Sequence, residues 1–336
     1  MNFLYRLFLY LVLPIALTIA AVVGSAYHWA HGAVTLPAPY VDVLVPPGAT
    51  AASIARLLGQ SGVQINPRFF SWLARFGGFD TKLKAGGYQV VQGDTPWTVL
   101  RRMAMGDMTQ RQVTLVEGWN LRQIRAALAQ HPDIRHTLDQ ITDAQLAERL
   151  GANSTFAEGL LFPDTYIFPI GTTDLDILQR AYRAQQKVME KVWEQRAADL
   201  PLGSPYEALV LASLIEKETG SPADRARIAG VFVNRLRAGM PLQTDPTVIY
   251  GMGEAYEGKI RKRDLQTDTP WNTYTRTGLP PSPIAIAGRA SLTAALQPEK
   301  HGYYYFVSRG DGTSAFATTL AEHNKNVSTY ILGRKP

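Results

Sequence analysis

Residues 206–219 (YEALVLASLIEKET), closed by Gly220, have the spacing of a helix and carry two carboxylates near its end, Glu216 and Glu218. At 100° per residue these project about 160° apart, so they cannot serve one site together. Glu218 falls on the stripe of Ile215, Leu214 and Leu211, whereas Glu216 shares its side with Ser213, Ala212 and Leu209. A carboxyl on an apolar stripe in the last helical turn is pushed toward its protonated form twice, by desolvation and by the negative end of the helix dipole. A raised pKa is what a general acid working near neutral pH requires. The competing reading is an ion pair between Glu218 and Arg225 or Arg227. Ser221, Pro222 and Asp224 have the N-cap, N1 and N3 pattern of a helix start, and that helix runs to Gly239. Glu218 is therefore expected at a tight corner between two helices. Residues 242–251 (LQTDPTVIYG) follow, read as a polar loop, then 271–275 (WNTYT) and 278–284 (GLPPSPI). Their amide, hydroxyl and carboxyl groups suit the hydroxyl and acetamido groups of a sugar, or equally the duties of turns and core.

Other chemistries lack their residues. The 336-residue chain has no cysteine, which removes thiol nucleophiles, disulfides, iron–sulfur clusters and Cys-type zinc sites. The six histidines show no ligand spacing, and no nucleophile-elbow, S-x-x-K, Walker or Rossmann pattern occurs. No metal and no cofactor is expected. With 46% hydrophobic and 18% charged residues the chain can bury real cores. Its net charge of +6 suits an anionic partner such as a membrane or cell wall, and the short run Arg261–Arg263 reads as a solvated loop; nucleic acid is not an expected partner.

The elements that must position this constellation begin with a membrane segment. Residues 7–26 are apolar throughout, long enough to cross a ~30 Å hydrocarbon core, with Arg6 before them and no acid until Asp42. That pattern predicts a single-pass anchor in the inner (cytoplasmic) membrane, N-terminus in the cytoplasm and the body in the periplasm; a cleaved signal peptide would export the body equally. Residues 33–40 (AVTLPAPY) read as an extended spacer. Three β–Gly–cap–helix units then recur around Gly48 and Thr50, Gly93 and Thr95, and Gly118 and Asn120. The second of them, residues 88–103, resembles the start of a LysM module, a small βααβ unit that binds N-acetylglucosamine polymers; a generic strand–helix connection fits the same residues. The aromatic segment 67–79 (PRFFSWLARFGGF) is expected to pack in a core. A long amphipathic helix is expected over about 175–198, and a loop-rich tail with short strands ends the chain.

Residues 211–219 (LASLIEKET), 231–236 (VFVNRL), 242–251, 272–275 and 278–281, with 159–166 (GLLFPDTY), together resemble the endolytic murein transglycosylase family, YceG-like, over essentially the whole chain. The resemblance implies an α+β fold: a tail over 1–6, a transmembrane helix over 7–27, a spacer over 28–40, a LysM-like domain over 41–110 and a catalytic domain over 111–336. It implies a lyase that cleaves the β-1,4 bond between N-acetylmuramic acid and N-acetylglucosamine in nascent peptidoglycan glycan strands, near a peptidoglycan synthase, leaving 1,6-anhydro ends and so ending strand elongation. The family's catalytic glutamate falls on Glu218. One carboxylate suffices because the sugar's own C6 hydroxyl attacks C1, where an ordinary glycosidase needs a second acid. Gln243, Asp245, Tyr250, Asn272 and Tyr274 are the candidates for sugar contacts. Two rivals stand beside this reading: a conventional muramidase using Asp245 as second carboxylate, and a non-catalytic wall-binding anchor.

Overall fold

The computed structural model describes residues 8–333 and is of mixed α+β type. The tail expected over 1–6, and Leu7, lie outside the described residues. The chain divides into two compact units, one holding the chain up to Gln112 with residues 133–135 and 167–172, the other holding 113–132, 136–166 and everything from Thr173.

The first unit begins with a π-helical turn over Phe8–Val12 that leads into α1 (Leu13–His31). Together they form a 24-residue stretch of mean hydropathy 2.2, long and apolar enough to cross a membrane and unburied along its apolar window. Then come β1 (Tyr40–Val45), α2 (Ala51–Gln60), α3 (Pro67–Phe76), β2 (Gly86–Val91) and α4 (Pro96–Met105). β1 and β2 pair antiparallel with Val43 opposite Tyr88. The two-residue alternation of strands turns Val43, Val45, Tyr88 and Val90 inward, onto Ile54 and Leu58 of α2, Phe70 of α3 and Met103 of α4. Thr50 and Thr95 cap α2 and α4 as their spacing predicts, each accepting a backbone N–H three residues on (3.3 and 3.1 Å). The strand over 88–91 opens the LysM-like pattern in sequence but closes a β-α-α-β run in the fold.

Two segments of this unit depart from expectation. The spacer over 28–40 is packed: α1 continues to His31, Ala30 and Val34 are buried, and the Val34 amide donates to the Asp94 carbonyl (2.8 Å). The Gln64 amide donates in turn to the Thr35 carbonyl (3.0 Å). The segment carries enough apolar surface to be drawn into a core, and its prolines lie only at the far end. In α3, core packing holds for Phe70 and Ala74, four residues apart on one face, whereas Phe69, Trp72 and Phe76 lie on the other and stay exposed.

β3 (Gln110–Thr114) pairs with β4 (Thr165–Pro169), and the chain passes into the second unit within β3. The helices are α5 (Leu121–Ala129), α6 (Asp143–Leu150), α7 (Asp174–Glu194), α8 (Pro205–Glu218), α9 (Pro222–Arg237), α10 (Asp245–Met252), α11 (Lys262–Gln266) and α12 (Arg289–Leu296). An antiparallel hairpin of β5 (Tyr305–Ser308) and β6 (Ser314–Ala317) and a last helix, α13 (Leu320–Tyr330), complete it. α8 is the centre. Every residue from Ala208 to Ile215 is buried, so this helix is apolar all round and not only along one stripe. Ile228 and Phe232 of α9, Val188 and Val192 of α7 and Leu292 and Ala295 of α12 surround it. Charged groups can therefore emerge from α8 only at its ends, and Glu218 is its last residue.

Candidate active site around the end of the central helix

The two carboxylates of α8 diverge as their spacing requires. Glu216 accepts the Gly288 amide at the start of α12 (3.0 Å), a structural cap. Glu218 points instead to the start of α10 and accepts the hydroxyl of Thr244. The residue is half-buried, with its carboxyl crowded by protein on most sides. Among the described residues no arginine forms an ion pair with it; of the two expected competitors, Arg225 and Arg227, the latter pairs with Glu299 instead (3.0 Å). Burial pushes the Glu218 carboxyl up to about 7; the negative charge of Asp245 adds to the rise, while the Thr244 hydrogen bond and the charge of Arg235 oppose it. An acid raised this far is placed both to give a proton and to take one back near neutral pH.

Residues 242–251 are not the loop expected: from Asp245 they form α10. Pro246 and an acid in the first turn favour a helix start, and Thr244 occupies the N-cap position. Thr244 makes no side-chain cap there, because its hydroxyl goes to Glu218. Its amide donates to Thr273 Oγ1 (3.1 Å), which lies 2.9 Å from the hydroxyl of Thr247. A threonine trio thus fixes the residue that holds the acid. Arg235 of α9 braces the same turn from behind. Its guanidinium is buried and donates to the carbonyls of Tyr304 (2.7 Å) and Leu242 (2.9 Å), leaving its charge uncompensated by a contacting carboxylate.

The sugar-contact candidates separate by placement. Gln243 and Asp245 are exposed beside Glu218, Gln243 with a left-handed backbone (φ 50°). Tyr274 donates its hydroxyl to Asp245 Oδ1 (2.5 Å). Asn272 is 1% exposed, and its amide is spent on the carbonyls of Leu265 (3.1 Å) and Thr267 (2.7 Å), closing the loop that carries Tyr274. Tyr250 lies on α10, its ring 5.3 Å edge-on from Trp271. Trp271 donates to Ser282 Oγ (2.9 Å), and Ser213 of α8 receives the Ile284 amide (3.1 Å), so the proline-rich loop is pinned to the central helix.

Sequence reasoning missed Glu158. It lines, with Tyr250, Trp271, Tyr256, Arg122 and Lys217, a cleft of about 520 Å³ whose wall carries Lys217 and Pro246, the chain neighbours of Glu218 and Asp245. Glu158 is 3% exposed, receives the Leu121 amide on both oxygens (3.0 Å each) and the Gly159 amide (3.1 Å), and is hydrogen-bonded by the Tyr250 hydroxyl. Burial raises it to about 7 against those hydrogen bonds. Gly159 beside it adopts a left-handed conformation with no room for a Cβ against Pro283. The signal available in sequence was an acid opening an otherwise apolar segment, Glu158 before GLLFP. Among the described residues no group of three or more His, Asp or Glu lies together as a metal site would need.

A half-buried acid at a helix end, a threonine-fixed turn beneath it and an aromatic-lined cleft close by make up the candidate site. The YceG-like family model matches residues 43–329, and the chain belongs to that family. It is 34% identical, over 87% of its length and 85% of the relative, to a Bacillus subtilis protein named endolytic murein transglycosylase. A Streptococcus pneumoniae protein of the same name is 28% identical over 87% of this chain, which spans 58% of that relative. The crystal structure of a YceG-like protein from Listeria monocytogenes superimposes with a TM-score of 0.54 at 30% identity, covering 85% of this chain and 98% of the other.

Proposed function

We propose that this protein is a lytic transglycosylase acting on peptidoglycan, the activity for which its relatives are named, with Glu218 as the sole catalytic acid and base. The observation that carries the reading is the environment of Glu218: a half-buried carboxyl held by one hydroxyl, with no contacting cation among the described residues, which burial pushes up to about 7. Protonated, it gives its proton to the oxygen bridging muramic acid C1 and glucosamine C4, and that bond breaks. The C6 hydroxyl of the same muramic acid bonds to C1, and its proton passes to the Glu218 carboxylate, restoring the acid. The products are a 1,6-anhydro end and a free C4 hydroxyl, with no water consumed. Tyr274 and Asp245 beside the acid, and Tyr250 and Gln243 around it, would contact sugar hydroxyls; Asn272 would serve by closing the loop beneath Tyr274.

The apolar helix supports an anchor in the cytoplasmic membrane with the second unit in the periplasm, working on strands under synthesis beside a synthase and ending their elongation. The β-α-α-β order of the first unit supports a LysM-like glycan-binding role. Mass spectrometry of products from purified peptidoglycan tests the central claim: wild-type protein should yield anhydro-muramic ends, and Glu218→Gln protein none. One observation favours a second reading. Asp245 stands near enough to Glu218 to raise its pKa, as the second carboxylate of a hydrolase would. Reducing ends in place of anhydro ends would establish that muramidase and overturn the lyase.

A further inference from the structure

α3 (Pro67–Phe76) carries no acidic residue and shows two faces. Phe70 and Ala74 lie in the core of the first unit. The opposite face presents Phe69 (44% exposed), Trp72 (57%) and Phe76 (85%), at i, i+3 and i+7, flanked by exposed Arg68 and Arg75. A single exposed aromatic is ordinary on a protein surface, but three in one stripe between two arginines are not. That composition, aromatic rings with cationic neighbours on a short amphipathic helix, is the one that settles into the headgroup layer of a bilayer.

The position of the stripe supplies the second argument. Trp29, near the end of α1, meets Phe69 edge-on at 5.5 Å between ring centroids, and Phe69 in turn lies 5.8 Å from Trp72. Trp29 is three residues past Ala26, where the uninterrupted apolar run ends, so it stands about 5 Å beyond the hydrocarbon boundary at 1.5 Å per residue. The headgroup region extends roughly 5–8 Å beyond that boundary on each side. α3 is thereby delivered to the depth its side chains suit, by a helix whose Ala30 is buried, whose Trp29 packs against the core of the same unit, and which is followed by Val34 in that core.

We infer that the exposed face of α3 docks on the outer surface of the anionic bilayer that α1 crosses, with Phe69, Trp72 and Phe76 entering the headgroup layer and Arg68 and Arg75 meeting lipid phosphates. The inference rests on the reading of α1 as a retained membrane span. Docking at a second contact fixes the tilt of the first unit on the membrane, which a single helix cannot do.

The absence of native cysteine makes the test direct. Full-length chains carrying Trp72→Cys, Phe76→Cys or, as a control, Lys300→Cys are labelled with a bimane fluorophore and reconstituted into phosphatidylethanolamine–phosphatidylglycerol vesicles with brominated acyl chains. Labels at 72 and 76 should be quenched about twofold or more over the control, less so after Arg68→Glu with Arg75→Glu or in phosphatidylcholine alone. Chains that float with the vesicles while the labels at 72 and 76 match the control would overturn this inference and leave the anchor standing. Chains that fail to float would overturn both.

Discussion

Both units sink carboxylates beside helices, and the two units handle them in opposite ways. In the first unit Asp94 is gripped by the Arg102 guanidinium through two bonds of 2.9 Å and by the Val91 amide at 2.9 Å. Burial alone would raise its pKa, but Arg102, the amide and Thr98 together bring it below the usual carboxylate value. In the second unit Glu218 and Glu158 have hydroxyl and amide partners and, among the described residues, no cation in contact, and burial raises both to about 7. Asp94 has been given a charge it keeps, and it ties the turn before α4 to its helix. Glu218 and Glu158 have been given protons they can lose. The arrangement of partners, more than depth of burial, separates a carboxylate that braces from one that can react.

The largest expected effect tests the reactive side. Glu218→Gln should lower turnover of peptidoglycan by at least 10²–10⁴-fold while the protein stays folded, checked by product release and circular dichroism. An unchanged rate would remove the distinction altogether. On the bracing side, Arg102→Met leaves Asp94 buried and unpaired. It should destabilise the first unit by about 2–4 kcal/mol in a denaturant titration, with the pH profile of activity unmoved.

Glu158→Gln should cost about tenfold in kcat/KM, since the amide still fills the space but a charge-assisted bond from Tyr250 is weakened. In a Tyr250→Phe background the same change should cost much less, and additive losses would show that Glu158 does not act through Tyr250.

Stability should follow pH in opposite senses for the two groups. Folded Glu158 and Glu218 titrate above the ordinary 4.5, so they bind more protons folded than unfolded, and their contribution to stability is lost as pH rises from about 5 to 8. For the fully buried Glu158 that displacement is worth on the order of 3 kcal/mol. Asp94 is depressed, so its contribution persists at neutral pH and is lost as pH falls below the carboxylate range. Thermal melts from pH 3 to 9 would show both limbs, and loss of the Asp94 limb in Asp94→Asn protein would assign it. The smallest effect is on activity. The limb that falls as pH rises through about 7 should move to lower pH, by less than about one unit, in Asp245→Asn protein, because a charge that raises Glu218 is gone.

Local signals made much of this architecture legible. Gly and cap residues at 48–50, 93–95 and 118–120 announced three helix starts, and the wheel of residues 206–219 separated Glu216 from Glu218 correctly. Where reasoning along the chain stopped short, tertiary partners decided. Nothing local says that Thr244 forgoes capping to reach a side chain 26 residues earlier, so α10 reads as a loop. Asn272 is polar and near the acid in sequence pattern, yet the carbonyls it must satisfy belong to residues 265 and 267. Glu158 is held by amides at Leu121 and Gly159, and the former is 37 residues away.

The burial of Val34 leaves no slack between the apolar helix and the folded body. The join between α1 and the body of the first unit is therefore a packed collar and not a flexible leash. Residues inserted after Gly32 would first have to uproot Val34 and Thr35 from their seats in that unit.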